Sequence, residues 1–129
     1  MNPAIIEAKF RRYKVESEHL LLRRDVTSEI KDVLHSIVEV DLIIIFYRSS
    51  TYFWVMTLEK IIIFSEDRWL TALFQDIDKI DPNFLDQTKQ NISEMGLLMK
   101  SGSLIRLQVE ATTWHVVLGI LKLLKAQHQ

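Results

Sequence analysis

The chain contains no cysteine, three glycines and two prolines in 129 residues. Without thiols there are no disulfides, no thiolate metal sites and no cysteine nucleophile. So little Gly and Pro leaves no material for linkers, which predicts one compact, fully ordered domain. No apolar run approaches the ~18 residues of a membrane span. The first residues, Met-Asn-Pro-Ala-Ile-Ile-Glu, lack the uninterrupted apolar core of a signal peptide, so a cytoplasmic protein is expected. Neither charge sign dominates: 16 Lys and Arg face 17 Asp and Glu. No global field therefore favours nucleic acid or an anionic membrane. Walker loop, Gly-x-Ser-x-Gly elbow, dinucleotide fingerprint and His-Glu-x-x-His are all missing, so neither an enzyme, a cofactor nor a metal is predicted.

What is present is apolar and periodic, with 48% hydrophobic and 26% charged residues, both ordinary for a globular domain. Asn2-Pro3 suits a helix start, and Ile6, Phe10, Tyr13, Ser17, Leu20 and Leu21 share one side of a helical wheel, predicting a first helix to about Arg23. Asp25, Thr27 or Ser28 caps a second helix through Ile30, Val33, Leu34 and Ile37, ending near Val38. From Asp41 the period changes. Strands are predicted at about 42–48, 52–58, 60–65, 69–74, 77–81, 92–99 and 104–110, with hairpin turns at Arg48-Ser-Ser-Thr51 and Lys100-Ser-Gly-Ser103. Residues 76–81 fit either a strand or one helical turn. Thr112 or Thr113 opens a last helix whose face is Trp114, Val117, Leu118, Leu121 and Leu124. Val116, Ile120 and Leu123 lie partly outside that face, as a surface for a partner chain or for the first helix.

His19, His35, His115 and His128 show no metal-ligand spacing, and Asp76, Asp78 and Asp81 miss the EF-hand pattern at Ile80 and Asp81. Residues 66–86 hold six acidic and two basic side chains, as a solvated edge or a dock for a basic partner. Lys9, Arg11, Arg12, Lys14, Arg23 and Arg24 against Glu7, Glu16 and Glu18 give the first 24 residues a net charge of +3. That helix would either pack on the sheet or lie on an anionic membrane. Trp54, Trp69 and Trp114 are assigned to the core.

The run Phe53-Trp-Val-Met-Thr57-Leu-Glu-Lys60-Ile-Ile-Ile resembles the strand-turn-strand pattern of bacterial pleckstrin-homology-like (PH-like) and GRAM-like domains. Asp76-Ile-Asp-Lys-Ile80 and Gly96-Leu-Leu-Met-Lys-Ser-Gly102 follow in the same order, so the likeness spans roughly residues 29–126. It implies an α+β fold: a seven-stranded antiparallel barrel capped by a C-terminal helix, over residues 41–129, with residues 1–40 as a helical extension of one or two helices. Phosphoinositide-binding members of that family cluster cations where this chain has Tyr47-Arg48-Ser-Ser-Thr-Tyr52. Arg48 alone falls short of the several donors a multiply charged head group requires. The expected role is a non-catalytic module that binds a protein partner or itself. Contact with an anionic lipid surface through Arg48, Lys9, Arg11, Arg12 and Lys14 is the second expectation. A small secretion-chaperone-like or toxin-neutralising protein is the third.

Overall fold

The computed structural model describes residues 3–12, 19–22, 25–34, 43–82 and 92–128. Helix α1 (Pro3–Arg12), strand β1 (Leu20–Leu22) and helix α2 (Ser28–Leu34) precede a meander of β2 (Ile44–Ser49), β3 (Tyr52–Met56), β4 (Lys60–Ser65) and β5 (Arg68–Leu73). A 3-10 turn at Phe74–Asp76 leads to β6 (Ile77–Asp81), β7 (Glu94–Met99), β8 (Leu104–Gln108) and helix α3 (Trp114–Gln127). The strands form two antiparallel sheets, β1-β2-β3-β4-β5 and β6-β7-β8. Among the described residues no ladder joins them.

Local chemistry sets the turns. Thr57 Oγ1 accepts from the N–H groups of Glu59 and Lys60, each at 3.1 Å, and so closes the β3–β4 hairpin. Glu66 and Asp67 both take positive φ, 49° and 64°, between the paired Ser65 and Arg68. Two such residues give a hairpin turn whose twist matches the strands it joins. Gly102 at φ 94° does the same work in the β7–β8 turn, where a Cβ would strain the backbone. Thr27 caps α2, accepting from Ile30 N–H at 3.4 Å.

All five residues of β3 are buried, because the five-stranded sheet is covered on both faces. One face meets the main core, where Phe46 stacks on Trp54 at 5.4 Å and α1 contributes Ile6 and Phe10. The other carries Ile45, Phe53 and Val55 under Leu34 and Ile30 of α2. A strand buried on both sides needs apolar residues at every position, which explains the unbroken Tyr-Phe-Trp-Val-Met run.

Four expectations are corrected. The helix expected to reach Arg23 ends at Arg12 among the described residues, and Leu20–Leu22 pair with Phe46, Ile45 and Ile44 as a strand. A run of three leucines satisfies a helical stripe, but pairing with β2 buries Leu20 and Leu22 together, as only an extended chain does. The segment assigned to the helical extension thus supplies a strand to the main sheet. Val116 and Ile120 are fully buried and Leu123 is half-buried against the core, so Val116 and Ile120 present no free face. Helix α1 lies on α3 at Gly119, where Lys9 Cε stands 3.5 Å from the position of a Cβ. Trp69 is 47% exposed on the edge strand β5, outside the core. Thr113 precedes α3 but makes no side-chain cap: its Oγ1 is buried without a partner, and Thr113 and Trp114 N–H both donate to Glu110 O. The expected end of the second helix near Val38, Lys14, Arg23, Arg24 and His35 lie outside the described residues.

Candidate functional site

Among the described residues β5 and β8 are outer strands of their sheets, and they approach one another. β8 is anchored across the β2–β3 hairpin by side chains: Trp54 Nε1 donates to Gln108 O at 2.8 Å, and Gln108 N–H donates to Tyr52 Oη at 2.9 Å. Arg48 Nη1 donates to Gln108 Oε1 at 2.6 Å. Arg48 reaches this point because it is the extra residue of a bulge: Tyr47 pairs with Phe53 and Ser49 with Tyr52. A bulge re-aims the residue it leaves unpaired. Burial, reinforced by the Glu94 carboxylate, pushes the Tyr52 phenol up to about 12, against the opposing pull of the Gln108 N–H and of Arg48. Tyr52 is therefore neutral across the physiological range.

From this anchor an open groove runs along β8 toward β5. One hollow of about 360 Å³ is lined by Tyr52, Ile63, Leu70, Glu94, Leu104 and Arg106 among others. It continues past Leu70, Leu104 and Ile105 into a second of about 460 Å³ bounded by Thr71, Asp76 and Lys100. Leu70 and Leu104 are 50% and 51% exposed. On the outer face of the sheet the directly paired Tyr47, Phe53, Phe64 and Trp69 form an aromatic row across four strands, with ring centroids 5.9, 5.1 and 4.8 Å apart. The row ends at the exposed Trp69. Edge strand β5 therefore shows Trp69 on one face and Leu70 on the other.

A separate cleft of about 520 Å³ is lined by His19, Phe46, Arg48, Ser93, Glu110 and Thr112 among others. His19 Nδ1 contacts Tyr47 O at 3.1 Å and its ring tilts onto Phe46, so the imidazole fastens β1 to β2. Among the described residues no three His, Asp or Glu side chains stand close enough to hold a metal ion. His115 lies edge-on to Trp114, and His128 Nε2 contacts Leu58 O at 2.8 Å. Among the described residues no helix is long and apolar enough to cross a membrane.

Arg48 engages Gln108, Arg11 pairs with Glu7 on its own helix at 3.8 Å, and Lys9 lies against Gly119 of α3. Arg12 ends α1. Asp76, Asp78 and Asp81 are exposed along the 3-10 turn and β6. The sequence reading missed Leu70, Glu94 and Leu104 and placed Trp69 in the core. In the expected closed barrel the strand 69–74 is paired on both sides, so nothing in the sequence marked Trp69 and Leu70 as edge residues. Comparison with protein-family models, with curated proteins and with solved structures finds no match to this chain.

Proposed function

We propose that this chain is a non-catalytic PH-like interaction module that takes a protein segment at the open seam between β5 and β8. The observation that carries the reading is that β5 and β8, the outer strands of the two described sheets, carry three half-exposed large side chains, Trp69, Leu70 and Leu104. Side chains of this size at a strand edge invite an added strand unless charge or cover protects them. The PH-like component rests on element order, a β-meander, a three-stranded second sheet and a closing helix. A bilayer-facing role for α1 is the weaker reading, because Ile6 and Phe10 already lie in the core.

Capture from the source cell with wild-type chain and with a Leu70→Ser, Leu104→Ser variant tests this, alongside light scattering of both. A partner, or a dimer mass, present for wild type and lost in the folded variant supports the seam. A partner retained by the variant, or a wild-type monomer with no partner at high concentration, overturns it.

A further inference from the structure

We propose that the segment taken by the seam is β5 of a second copy of this chain, the two strands pairing antiparallel about a two-fold axis at Leu70. This rests on the seam reading above and names its occupant. Of the two strands at the seam, β8 is already engaged, since the N–H, the carbonyl and the side chain of Gln108 are taken by Tyr52, Trp54 and Arg48. Beside it Glu94 Oε2 is buried without a hydrogen-bond partner, so covering that end would deepen an existing cost. β5 carries no such attachments. Among the described residues its outward amides, those of Trp69 and Thr71, meet no acceptor. Its sequence, Arg-Trp-Leu-Thr-Ala-Leu, holds no proline or lysine, and its register with β4 runs without a bulge. Strand edges that stay single carry one of those devices.

Phase selects the register. The outward backbone groups belong to odd-numbered residues, which must therefore meet one another as hydrogen-bonded pairs, and that leaves centres at Trp69, Leu70 or Thr71. A centre at Trp69 sets Thr71 against Asp67, whose φ of 64° takes it out of an extended ladder. A centre at Thr71 sets Arg68 against Phe74, which has left the strand for the 3-10 turn, and Leu70 against Ala72, which is already buried. Centred on Leu70, Trp69 of each copy exchanges both backbone bonds with Thr71 of the other, and the two half-exposed Leu70 side chains meet. Arg68 then lies opposite Ala72, so no like charges are opposed. The pair also continues both faces of the sheet. On the outer face Thr71, Ile62, Val55 and Ile45 are directly paired, so the aromatic row that ends at Trp69 runs on into the second copy's Thr71 and Ile62. On the inner face the row Ile63–Leu70 meets its own counterpart beside the hollow that Leu104 bounds. The axis stands along the sheet normal, so Leu104 of both copies lies on the side of the paired leucines.

So short a strand pair is a small interface, for which a dissociation constant of about 100 µM is expected, with the edge open in dilute solution. Sedimentation of the full chain from about 5 µM to about 1 mM should pass from monomer to dimer. Thr71→Pro removes one outward donor from each copy at a position where an edge strand tolerates proline, and should weaken association about tenfold with the fold unchanged. Because the chain has no cysteine, single-cysteine variants read the register. Leu70→Cys sets the two thiols on a non-hydrogen-bonded pair with Cα atoms ~4.5 Å apart, within disulfide range, and should oxidise to a covalent dimer about tenfold faster than Trp69→Cys or Thr71→Cys. A monomer at about 1 mM, association indifferent to Thr71→Pro, or crosslinking fastest at position 69 or 71 overturns the proposal. A monomeric chain that still captures a cellular partner through Leu70 and Leu104 overturns this occupant and leaves the seam standing. A dimer that survives Leu70→Ser, Leu104→Ser removes both.

Discussion

Tyr52 holds the end of β8 through its phenol oxygen, and burial keeps that phenol protonated up to about pH 12 instead of 10.0. A proton bound more tightly in the fold than in the unfolded chain stabilises the fold at every pH below about 10. That contribution is lost as pH rises from 10 toward 12, up to roughly 2–3 kcal/mol. Tyr52→Phe should therefore cost about 1 kcal/mol at neutral pH, because Gln108 N–H loses its acceptor, and should flatten the alkaline fall in stability relative to wild type. Urea titrations of both proteins from pH 8 to 12 measure it, and parallel curves would show that Tyr52 does not drive the alkaline loss. The same neighbourhood shows what one residue's identity conceals. Arg48 was legible as the one cation of its loop, but the bulge that turns it onto Gln108 has no mark in the sequence. Glu94 was invisible, since an unpartnered carboxylate is a property of packing and not of the residue.

At the level of elements, the seven strands from 42 to 110 were legible because β-branched and aromatic runs alternate with polar breaks that supply their own turn chemistry, as Thr57 does. β1 was not, because Leu20–Leu22 obeys a helical stripe equally well and its partner lies more than twenty residues away. Helix α3 was recognised from its periodicity, and its apolar excess, left open between a partner chain and the first helix, is enclosed by α1 and the sheets. Ile120→Ala should consequently cost about 2–5 kcal/mol, as for any large side chain removed from a packed core. Leu123→Ala, at a half-buried site, should cost about 1 kcal/mol. Urea unfolding of the two variants measures both. Equal, small losses would return Ile120 to the surface.

Across the whole molecule, two sheets share a core built from Trp54, Phe46 and the buried face of α3, and among the described residues the seam between β5 and β8 is where that enclosure stays open. Mixed α+β composition and the closing helix could be read from the chain because each element buries its own apolar residues. The seam could not, for it depends on how two sheets meet, and only three half-exposed side chains record it. Hairpin closure at Ser65 and Arg68 with Phe74 N–H donating to Glu59 O sets the even-numbered residues of β5 toward β4, so the amides of Trp69 and Thr71 point outward, as that of Leu104 does on β8. Residue-resolved amide hydrogen exchange on the dilute chain tests the open seam most directly. The account predicts that Trp69, Thr71 and Leu104 exchange quickly while the amides of β3 stay protected. Slow exchange at these three positions would contradict it.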